Sequence, residues 1–286
     1  KMAKYAITGS KNGFLGRHLN RYFCGHNHDV YPIKTDDLYY YHTLSHILHE
    51  FQPDVIIHCA AYGNMGWHED MKMMYEANVG TTTNLLLASM DIPYKAFIYT
   101  GTSSMYGKWA APMREDMGFY PVTPYARTKL LGHQIAHHIH TFTAKPIITT
   151  LPFSVYGERE DERRVIPTTI GCIKNRKPMK LIEGVHDWIH IHDYVSAIIH
   201  ILGNINHFEG QAINIGTGRQ TTNKRVIEIL GTIARRNVFL YDTAPPKDTD
   251  SPMWVADISK LTKTGWKPKI TLEEGLKRCW KGGEIT

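Results

Sequence analysis

The sequence predicts an α/β fold built on a parallel sheet with helices on both of its faces. Short apolar runs typical of buried strands alternate with segments whose apolar residues recur at helical spacing. A glycine-containing turn joins the first strand candidate to the first helix candidate. This alternation favours a parallel sheet, because parallel neighbours need a crossover connection that is usually a helix.

The elements follow one another in strand–helix order from the N-terminus to about residue 157. The first strand candidate, at 4–9, is apolar, and the helix candidate after it, at 14–23, is amphipathic. Further strands are expected at 28–33, 54–61, 95–104 and 146–157, and further helices at 38–51, 74–90 and from residue 125 onward. Beyond residue 157 the pattern is less regular. Helices are expected there at 165–175, 194–202 and 221–236, strands at 186–193 and 211–218, and loops at 158–164 and 244–252.

Composition excludes several classes of protein. The four cysteines are scattered without a C-x-x-C pair, which favours a reducing, cytoplasmic setting over a disulfide frame or a zinc knuckle. The formal charge of +6 comes from basic residues spread along the chain, densest at 174–180. This spread favours a small anionic substrate over nucleic acid or a membrane surface. The chain runs straight into a strand candidate, so no secretory leader is expected, and no apolar run approaches the roughly 18–20 residues of a membrane-spanning helix.

Glycines at 9, 13 and 16 indicate a phosphate-binding turn between the first strand and the first helix. Such a turn lets backbone amides approach a pyrophosphate at the positive N-terminus of a helix. The spacing G-x-x-x-G-x-x-G departs from the usual dinucleotide fingerprint, so the strand–turn–helix context carries the prediction against a plain tight turn. The residues expected to bind the cofactor here are Gly9, Gly13, Phe14, Leu15, Gly16 and Arg17.

The end of the second strand candidate bears on the choice between NAD and NADP. A carboxylate at this point binds the free ribose hydroxyl of NAD, whereas a basic residue accommodates the extra phosphate of NADP. The strand candidate ends near Lys34, and Arg17 follows the last glycine, so NADP(H) is favoured over NAD(H). Asp36 and Asp37 come directly afterwards and keep NAD(H) open.

Tyr125 and Lys129 lie one helical turn apart at the start of a predicted helix. Pro124 suits the first helical position, and residues four apart share one helix face with Cβ atoms about 5–6 Å apart. A tyrosine of ordinary pKa, near 10, needs a shift of about 3 units, or roughly 4 kcal/mol, to act as a base at neutral pH. One unit charge about 4 Å away supplies roughly that amount at an effective dielectric constant of about 20. Taken alone, however, the pair also fits a solvated helix start.

Together, the glycine turn, "TSSMYG" at 102–107 and Y-x-x-x-K resemble the extended short-chain dehydrogenase/reductase family, in particular its nucleotide-sugar branch. "DVIIHCAA", "NVGTTTNLL", "PFSVYGERE", "HDWIHIHDYVSAI" and "INIGTG" follow in the family's order, so the resemblance covers nearly the whole chain. It implies a Rossmann-type doubly wound parallel sheet with a smaller, discontinuous C-terminal α/β substrate lobe, and a homodimer. The dinucleotide-binding domain is expected at 1–157 plus about 188–217, and the nucleotide-sugar lobe at about 158–187 plus 218–286.

By position, the resemblance implies that Tyr125 is the catalytic acid/base, Lys129 its partner and Thr102 the catalytic hydroxyl. Tyr125 would then transfer a proton at a sugar hydroxyl while hydride moves to or from a nicotinamide. Further cofactor-side positions implied in this way are Asp37, Leu38, Ala60, Ala61, Asn78 and Pro152. The substrate-side positions are Ser103, Ser104, Ser154, Arg164, His186, Trp188 and Lys247.

Departures from the family's pattern narrow the expected reaction. Sugar 4,6-dehydratases carry Asp-Glu where this chain has Ser103 and Ser104, so a dehydratase is not expected. The cysteine and histidine of bifunctional 3,5-epimerase/4-reductases are Ser104 and Arg164 here, which argues against that class too. His186 and Lys247 stand where the family has arginines, and neither replaces a guanidinium fork at a phosphate, so the nucleotide is left open.

The expected function is NAD(P)-dependent hydride transfer at C4 of a nucleotide-activated hexose, by a 4-keto-sugar reductase of deoxysugar biosynthesis. The alternative is a nucleotide-sugar 4-epimerase with tightly bound NAD. A non-catalytic NAD(P)-sensing protein is a third interpretation, against which the presence of Thr102, Tyr125 and Lys129 argues. No metal is expected, because a zinc site needs three or four converging ligands and the histidines offer only pairs.

Overall fold

The structure is a computed structural model that describes residues 2–63 and 70–282 of the chain. The backbone divides into two compact units. The first unit comprises Lys1–Met105, Phe119–Leu151 and Ile198–Ile213, and the second comprises Tyr106–Gly118, Pro152–Ala197 and Asn214–Thr286. The predicted domain bounds differ at 106–118, 152–157, 188–197 and 214–217, which pack with the second unit. Which unit binds which ligand stays a prediction.

The regular elements account for most of the described chain. The strands are β1 (Lys4–Thr8), β2 (Asp29–Ile33), β3 (Val55–His58), β4 (Ala96–Thr100), β5 (Ile147–Pro152), β6 (Ser154–Tyr156), β7 (Met179–Ile182), β8 (Val185–His190), β9 (Ala212–Ile215), β10 (Gln220–Thr222) and β11 (Leu240–Ala244). The α-helices are α1 (Phe14–Gly25), α2 (Tyr41–Phe51), α3 (Met71–Tyr75), α4 (Thr81–Ser89), α5 (Pro124–Thr143), α6 (Val165–Asn175), α7 (Ile191–Gly203), α8 (Ile205–Phe208), α9 (Asn223–Ala234), α10 (Ser259–Lys263) and α11 (Leu272–Lys281). None of the helices in the described residues is long and apolar enough to cross a membrane.

The central sheet is six-stranded and parallel, in the order β2-β1-β3-β4-β5-β9. Strand β1 pairs with β2 on one side and with β3 on the other, so the chain builds outward in both directions from β1. In a doubly wound sheet of this kind, the crevice at the carboxyl ends of the two diverging strands is where ligands bind. The predicted Rossmann-type architecture is therefore confirmed, and the point of divergence lies between β1 and β3.

Helices cover both faces of this sheet, as predicted. On one face Ala6 and Phe97 of the strands pack in a cluster with Leu85 of α4. On the other face the Tyr5 ring stacks on Phe23 of α1, with ring centroids 3.9 Å apart. Neighbouring strand residues point to opposite faces, so Tyr5 and Ala6 contact different helices. Every residue of β3 and β4 is buried, which explains why these runs are apolar without alternation.

Several elements differ from the predicted ones. The predicted helix 74–90 contains a π-helical turn, Glu76–Gly80, between α3 and α4. The predicted strand 186–193 ends at His190 because Ile191 begins α7, so His190 and His192 do not share a strand face. The predicted strand 146–157 is two strands, β5 and β6, and the short strands β7, β10 and β11 were not predicted.

The connection after β2 is very short. Only Lys34 and Thr35 separate the end of β2 from a 3₁₀ turn, Asp36–Tyr39, which leads into α2. No further strand forms here, and β2 is the terminal strand of the sheet. The point of divergence, between β1 and β3, therefore lies two strands from the edge of the sheet.

The second unit is built on two small sheets. Strand β8 pairs with β6 in parallel and with β10 in antiparallel orientation, and β7 pairs with β11 in parallel. Helices α6, α9 and α11 share one apolar cluster with residues of β6 and β8. The buried Asp187 carboxylate of β8 accepts the backbone N–H groups of Thr217, Gly218 and Ala256 at 2.7–3.1 Å, which ties β8 to two later loops.

Candidate active site

The turn between β1 and α1 is packed so tightly that it requires glycine. Gly9 has a φ of +67°, and its carbonyl oxygen accepts the N–H of Gly13 at 3.0 Å. A Cβ atom on Gly13 or Gly16 would lie 2.5 Å or 2.6 Å from that same oxygen. Backbone oxygen cannot yield as a flexible side chain can, so any larger residue would displace the turn.

Helix α1 begins at this turn with Phe14, followed by Leu15, and Arg17 comes one turn later. No side chain among the described residues caps the helix, and its first turn holds no acidic residue. The exposed amide ends and the positive end of the helix dipole favour an anion at such a terminus. The glycine turn and α1 thus fit a dinucleotide pyrophosphate chemically, as predicted for these residues.

The end of β3 lies against the glycine turn. A Cβ atom on Gly9 would be 3.0 Å from the Ala60 nitrogen, so the two segments approach closely. The Thr8 hydroxyl accepts the N–H groups of Cys59 and Ala60, each at 3.0 Å. Ala60 is half-buried and Ala61 is exposed. The predicted cofactor positions on β1 and β3 are therefore neighbours at the point where the sheet diverges.

The end of β2 presents both a basic and an acidic residue. Lys34 is exposed, whereas Asp37 is half-buried in the 3₁₀ turn and Leu38 is fully buried. The Asn84 side-chain amide donates to the Leu38 carbonyl at 3.1 Å and fixes this turn against α4. The short connection keeps Asp36 and Asp37 within three residues of Lys34, and the charge at this edge is accordingly mixed.

Tyr125 and Lys129 lie in the first two turns of α5, where the sequence placed them. Pro124 is at the first helical position, and the Thr123 hydroxyl caps the helix by accepting the Ala126 N–H at 3.1 Å. Tyr125 is half-buried, and Lys129 is only 1% exposed. Burial lowers the pKa of the Lys129 ammonium to about 7. The Lys129 ammonium therefore gives up its proton more readily than a lysine in water, because burial disfavours its charged form.

Tyr99 of β4 supports the lysine and was not identified from sequence. The Lys129 ammonium lies 4.4 Å from the centroid of the Tyr99 ring, and the Tyr99 hydroxyl donates to the Lys129 carbonyl at 3.0 Å. A Cβ atom at position 132 would overlap that hydroxyl, which explains Gly132 one turn later in α5. Burial raises the pKa of Tyr99 well above 10, and the neighbouring Tyr125 phenol raises it further. Tyr99 therefore stays neutral beneath the lysine.

Thr102, Ser103 and Ser104 gather three hydroxyl groups in one turn after β4. The Thr102 hydroxyl accepts the Ser104 N–H at 3.2 Å and donates to the Ser104 hydroxyl at 3.3 Å. Thr102 and Ser103 are buried and Ser104 is half-buried. The turn offers neutral donors and acceptors to a substrate oxygen and no acidic group, in contrast to the Asp-Glu pair of dehydratases.

Asn78 is fully buried in the π-helical turn before α4. Its side-chain oxygen accepts the Tyr62 N–H at 2.8 Å, and its amide donates to the Tyr62 carbonyl at 2.7 Å and to the Thr128 hydroxyl at 2.9 Å. Thr128 in turn donates to the Tyr125 carbonyl at 2.9 Å. The Asn78 amide is thereby held next to helix α5.

Most of the predicted substrate-side residues belong to the second unit. Ser154 of β6 pairs with Trp188 of β8, and His186 lies two residues before Trp188. The His186 ring has its centroid 5.2 Å from that of Trp188 and 5.9 Å from that of Trp254. Trp254 was not identified from sequence, because it follows a loop with no strand or helix pattern. Pro152, predicted as a cofactor-side position, is the last residue of β5.

The electrostatics of this aromatic group differ from those expected from sequence. Burial lowers the pKa of His186 to about 4, and the cations Arg164 and Lys247 lower it further, whereas Asp250 raises it. His186 is consequently neutral at pH 7. It cannot supply the charge of the family's arginine, and the nearby positive charges are those of Arg164 and Lys247.

His133 and His137, one helical turn apart in α5, contact two different oxygen atoms. The Nδ1 atom of His133 contacts the Thr149 hydroxyl at 2.9 Å, and that of His137 contacts the Gly210 carbonyl at 3.2 Å. Across residues 2–63 and 70–282, no three His, Cys, Asp or Glu residues form a group suited to a metal ion.

Comparison with known proteins identifies the family. The family model described as "NAD dependent epimerase/dehydratase family" matches residues 5–216. The chain belongs to this family. The predicted resemblance to the extended short-chain dehydrogenase/reductases is thereby confirmed, together with an enzymatic, nucleotide-sugar character.

Individual epimerase/dehydratase family members show which proteins the chain resembles. UDP-glucuronate 4-epimerase of Thermodesulfobacterium geofontis (strain OPF15) is 30% identical over 271 residues, spanning 91% of this chain and 80% of that protein. UDP-glucuronic acid 4-epimerase from Bacillus cereus, solved with UDP-glucuronic acid and NAD, is 25% identical, with a TM-score of 0.87 over 98% of each chain. RMD from Pseudomonas aeruginosa, solved with NADPH, shares the fold at 22% identity, with a TM-score of 0.86 over 98% of each chain.

Gly16→Ala should weaken cofactor binding by displacing the glycine turn. The added Cβ would lie 2.6 Å from the Gly9 oxygen and 2.9 Å from the Thr8 oxygen. We expect NAD affinity to fall at least about tenfold and the free energy of unfolding to fall by about 1–3 kcal/mol. Calorimetric titration and chemical denaturation measure the two effects. Gly171→Ala in α6, where an added Cβ meets nothing within 4 Å, is the control and should bind normally. Equal NAD binding by both variants would contradict the assignment of the glycine turn to cofactor binding.

Lys129→Met should change how stability depends on pH. Because burial lowers the pKa of Lys129 to about 7, the unfolded chain binds more protons than the folded chain between pH 7 and the ordinary lysine value of 10.5. The wild-type free energy of unfolding should therefore rise across this window, relative to the variant, by up to about 1.4 kcal/mol per pH unit. Urea denaturation from pH 7 to pH 10 measures this difference. Lys72→Met, which removes an exposed ammonium, should follow the wild type. A constant difference between wild type and Lys129→Met would refute burial of a titrating amine.

Proposed function

We propose that the chain is a nucleotide-sugar 4-epimerase that retains NAD. The observation that carries this proposal is the Lys129 amine, buried on the Tyr99 ring one helical turn after Tyr125. In a family of NAD-dependent epimerases and dehydratases, this pair is suited to proton transfer at a sugar hydroxyl beside a nicotinamide.

The 4-epimerase is better supported than the 4-keto-sugar reductase that the sequence favoured first. The relative that is 30% identical and the structural neighbour that is 25% identical are both named as UDP-glucuronate or UDP-glucuronic acid 4-epimerases. Ser103 and Ser104 leave the turn after Thr102 without the acid that a dehydratase needs. Interconversion at C4 needs hydride removal and return, which a bound nicotinamide would supply, and a proton transfer at the C4 oxygen, which Tyr125 and Thr102 can serve.

The residues of this chain divide the work at the sugar between them. The Tyr125 phenol takes the C4 hydroxyl proton and later returns it, and the Thr102 hydroxyl accepts from or donates to the same oxygen. Lys129 lowers the cost of the phenolate in proportion to its own protonation, which binding of ribose hydroxyls would favour by giving the ammonium hydrogen-bond acceptors. When bound, the nicotinamide supplies reversible hydride chemistry.

We propose NAD as the cofactor, although the basic residue Lys34 favours NADP when the sequence is considered alone. Lys34 is exposed, whereas Asp37 is half-buried in the 3₁₀ turn next to the end of β2. A carboxylate held there suits a free ribose hydroxyl and repels an extra phosphate. The cradle of Gly9, Gly13 and Gly16 fits the pyrophosphate of either cofactor.

A UDP-hexuronate is the first substrate to test, by analogy with the two named 4-epimerases. In the second unit, Arg164 and Lys247 lie close enough to His186 to lower its pKa, and they supply positive charge suited to a diphosphate. The neutral rings of His186, Trp188 and Trp254 offer stacking surfaces in the same group.

Heat-denatured protein should release stoichiometric NAD, and the native protein should interconvert UDP-glucuronate and its C4 epimer without added cofactor. Tyr125→Phe should retain NAD and lose at least about a hundredfold in kcat, since it removes the proton-transfer group. Tyr120→Phe, which alters an exposed tyrosine before α5, is the control and should turn over normally. Chromatographic assay of the two sugars and absorbance of the released cofactor measure these outcomes.

Other outcomes of these assays would support the 4-keto-sugar reductase or the sensing protein instead. Release of no cofactor, with oxidation of added NADPH by a 4-keto nucleotide sugar, would replace the epimerase by the reductase. Absence of turnover in both assays, with Tyr125→Phe indistinguishable from wild type in NAD binding, would favour a sensing protein.

We also propose a homodimer formed through α4 and α5. Leu87 of α4 and Leu131 and Phe142 of α5 are 42%, 37% and 77% exposed, and exposed apolar side chains on neighbouring helices suit a protein–protein interface. Light scattering during gel filtration should give twice the chain mass. Leu87→Asp combined with Leu131→Asp should give monomer, whereas Leu240→Asp in the second unit, at a similarly exposed position, should remain dimeric. A monomeric wild type would contradict the proposal.

A further inference from the structure

His58, the last residue of β3, is fully buried between two threonine hydroxyls. Its Nδ1 atom lies 2.8 Å from the Thr8 hydroxyl and its Nε2 atom 2.9 Å from the Thr82 hydroxyl. Burial lowers the pKa of His58 to about 3, and the nearby Lys129 ammonium lowers it further. The imidazole is therefore neutral and carries a single N–H, so it can donate to one threonine only.

The hydroxyl groups determine which nitrogen carries this hydrogen. Thr82 uses its one proton on the Asn78 carbonyl, at 2.6 Å, so its oxygen must accept from His58 Nε2. Nδ1 is then the acceptor, and the Thr8 hydroxyl donates to it. The remaining lone pairs of Thr8 accept the N–H groups of Cys59 and Ala60. Every donor in this series of hydrogen bonds is used. Each bond runs in the same direction, from the N–H groups of Cys59 and Ala60 towards the Asn78 carbonyl.

This series of hydrogen bonds ends at the π-helical turn Glu76–Gly80, which three consecutive threonines stabilise. Thr81, Thr82 and Thr83 donate to the carbonyls of the residues four positions earlier, at 2.6 Å, 2.6 Å and 2.8 Å. π-Helical turns are rare and often occur at functional sites. Only Thr82 of the three also contacts His58, so it alone joins the turn to the carboxyl ends of β1 and β3.

We infer that Thr82, held by His58, is a positioning residue: it sets the π-helical turn so that the Asn78 amide reaches Thr128 and, through it, the Tyr125 backbone. At its other end the same chain of bonds holds Ala60 beside the glycine turn. Neutral hydrogen bonds thereby fix the position of helix α5 relative to the glycine turn at residues 9–16. The inference concerns positioning for the proposed epimerisation and rests on that function only for its kinetic readout.

Thr82→Val and Thr83→Val form a matched pair for the test. Each replaces a threonine by an isosteric, β-branched residue and removes one hydroxyl–carbonyl bond of the same turn. Thr82→Val also leaves the buried His58 N–H without its acceptor. An unsatisfied buried donor is costly, so we expect kcat with UDP-glucuronate to fall about tenfold or more, with KM changed less than about threefold. Thr83→Val should stay within about twofold of wild type, and Thr82→Ser, which restores the hydroxyl, should recover most of kcat.

Two readouts do not depend on the sugar substrate. Nitrogen-15 NMR of labelled histidines should show His58, identified by its loss in His58→Gln, as the Nε2–H tautomer in wild type and Thr83→Val but altered in Thr82→Val. NAD affinity should fall about tenfold in Thr82→Val relative to Thr83→Val, with both variants folded by circular dichroism.

Equal kcat and equal NAD affinity of Thr82→Val and Thr83→Val would overturn the inference, as would an Nδ1–H tautomer in wild type. Failure of the wild type to epimerise any sugar would instead contradict the proposed function, and the tautomer and NAD affinity would still decide the role of Thr82.

Discussion

Burial of the Lys129 amine is the constraint on which the packing around the start of helix α5 depends. An ammonium taken out of water is costly, and here the Tyr99 ring beneath it offers only a partial replacement for hydration. The approach of α5 to β4 that brings the two together requires Gly132, since any side chain there would meet the Tyr99 hydroxyl. The same approach anchors the helix, because that hydroxyl donates to the Lys129 carbonyl.

A buried amine of low pKa also limits what can surround it. Any cation nearby would lower its protonation further, and any carboxylate would hold its proton permanently. The neighbouring groups are accordingly neutral: Tyr99, His58 and a set of threonine hydroxyls. The hydrogen bonds of His58 with the Thr8 and Thr82 hydroxyls orient these groups without adding charge. The charged residues among the predicted substrate-side positions, Arg164 and Lys247, belong to the other unit.

Much of the fold and part of the site could be predicted from the sequence, because they depend on local spacing. Alternating apolar runs predicted the sheet, and helical spacing after Pro124 placed Tyr125 and Lys129 in the first two turns of one helix. Tyr99 and Thr82 were not identified, since a tyrosine in a buried strand and a threonine in a helix look ordinary until their distant partners are known. The charge state of His186 also depends on burial among residues far along the chain.

Boundaries were predicted least well, for related reasons. The change from β8 to α7 at Ile191 occurs without a proline or glycine, so the strand was predicted to continue through Asp193. The strands β7, β10 and β11 have three to five residues each and little apolar alternation. The π-helical turn at Glu76–Gly80 continues a helical pattern on both sides, and a periodicity argument cannot separate it from α-helix.

The short connection after β2 has a further consequence for how the protein behaves in concentrated solution. A terminal strand presents free backbone groups that can recruit a strand from another molecule and start aggregation. Here β2 is only five residues long and carries exposed Asp29 and Pro32, a charge and a residue without an amide hydrogen. Both features discourage intermolecular pairing, so the sheet can end at β2, with which no strand beyond β1 pairs among the described residues.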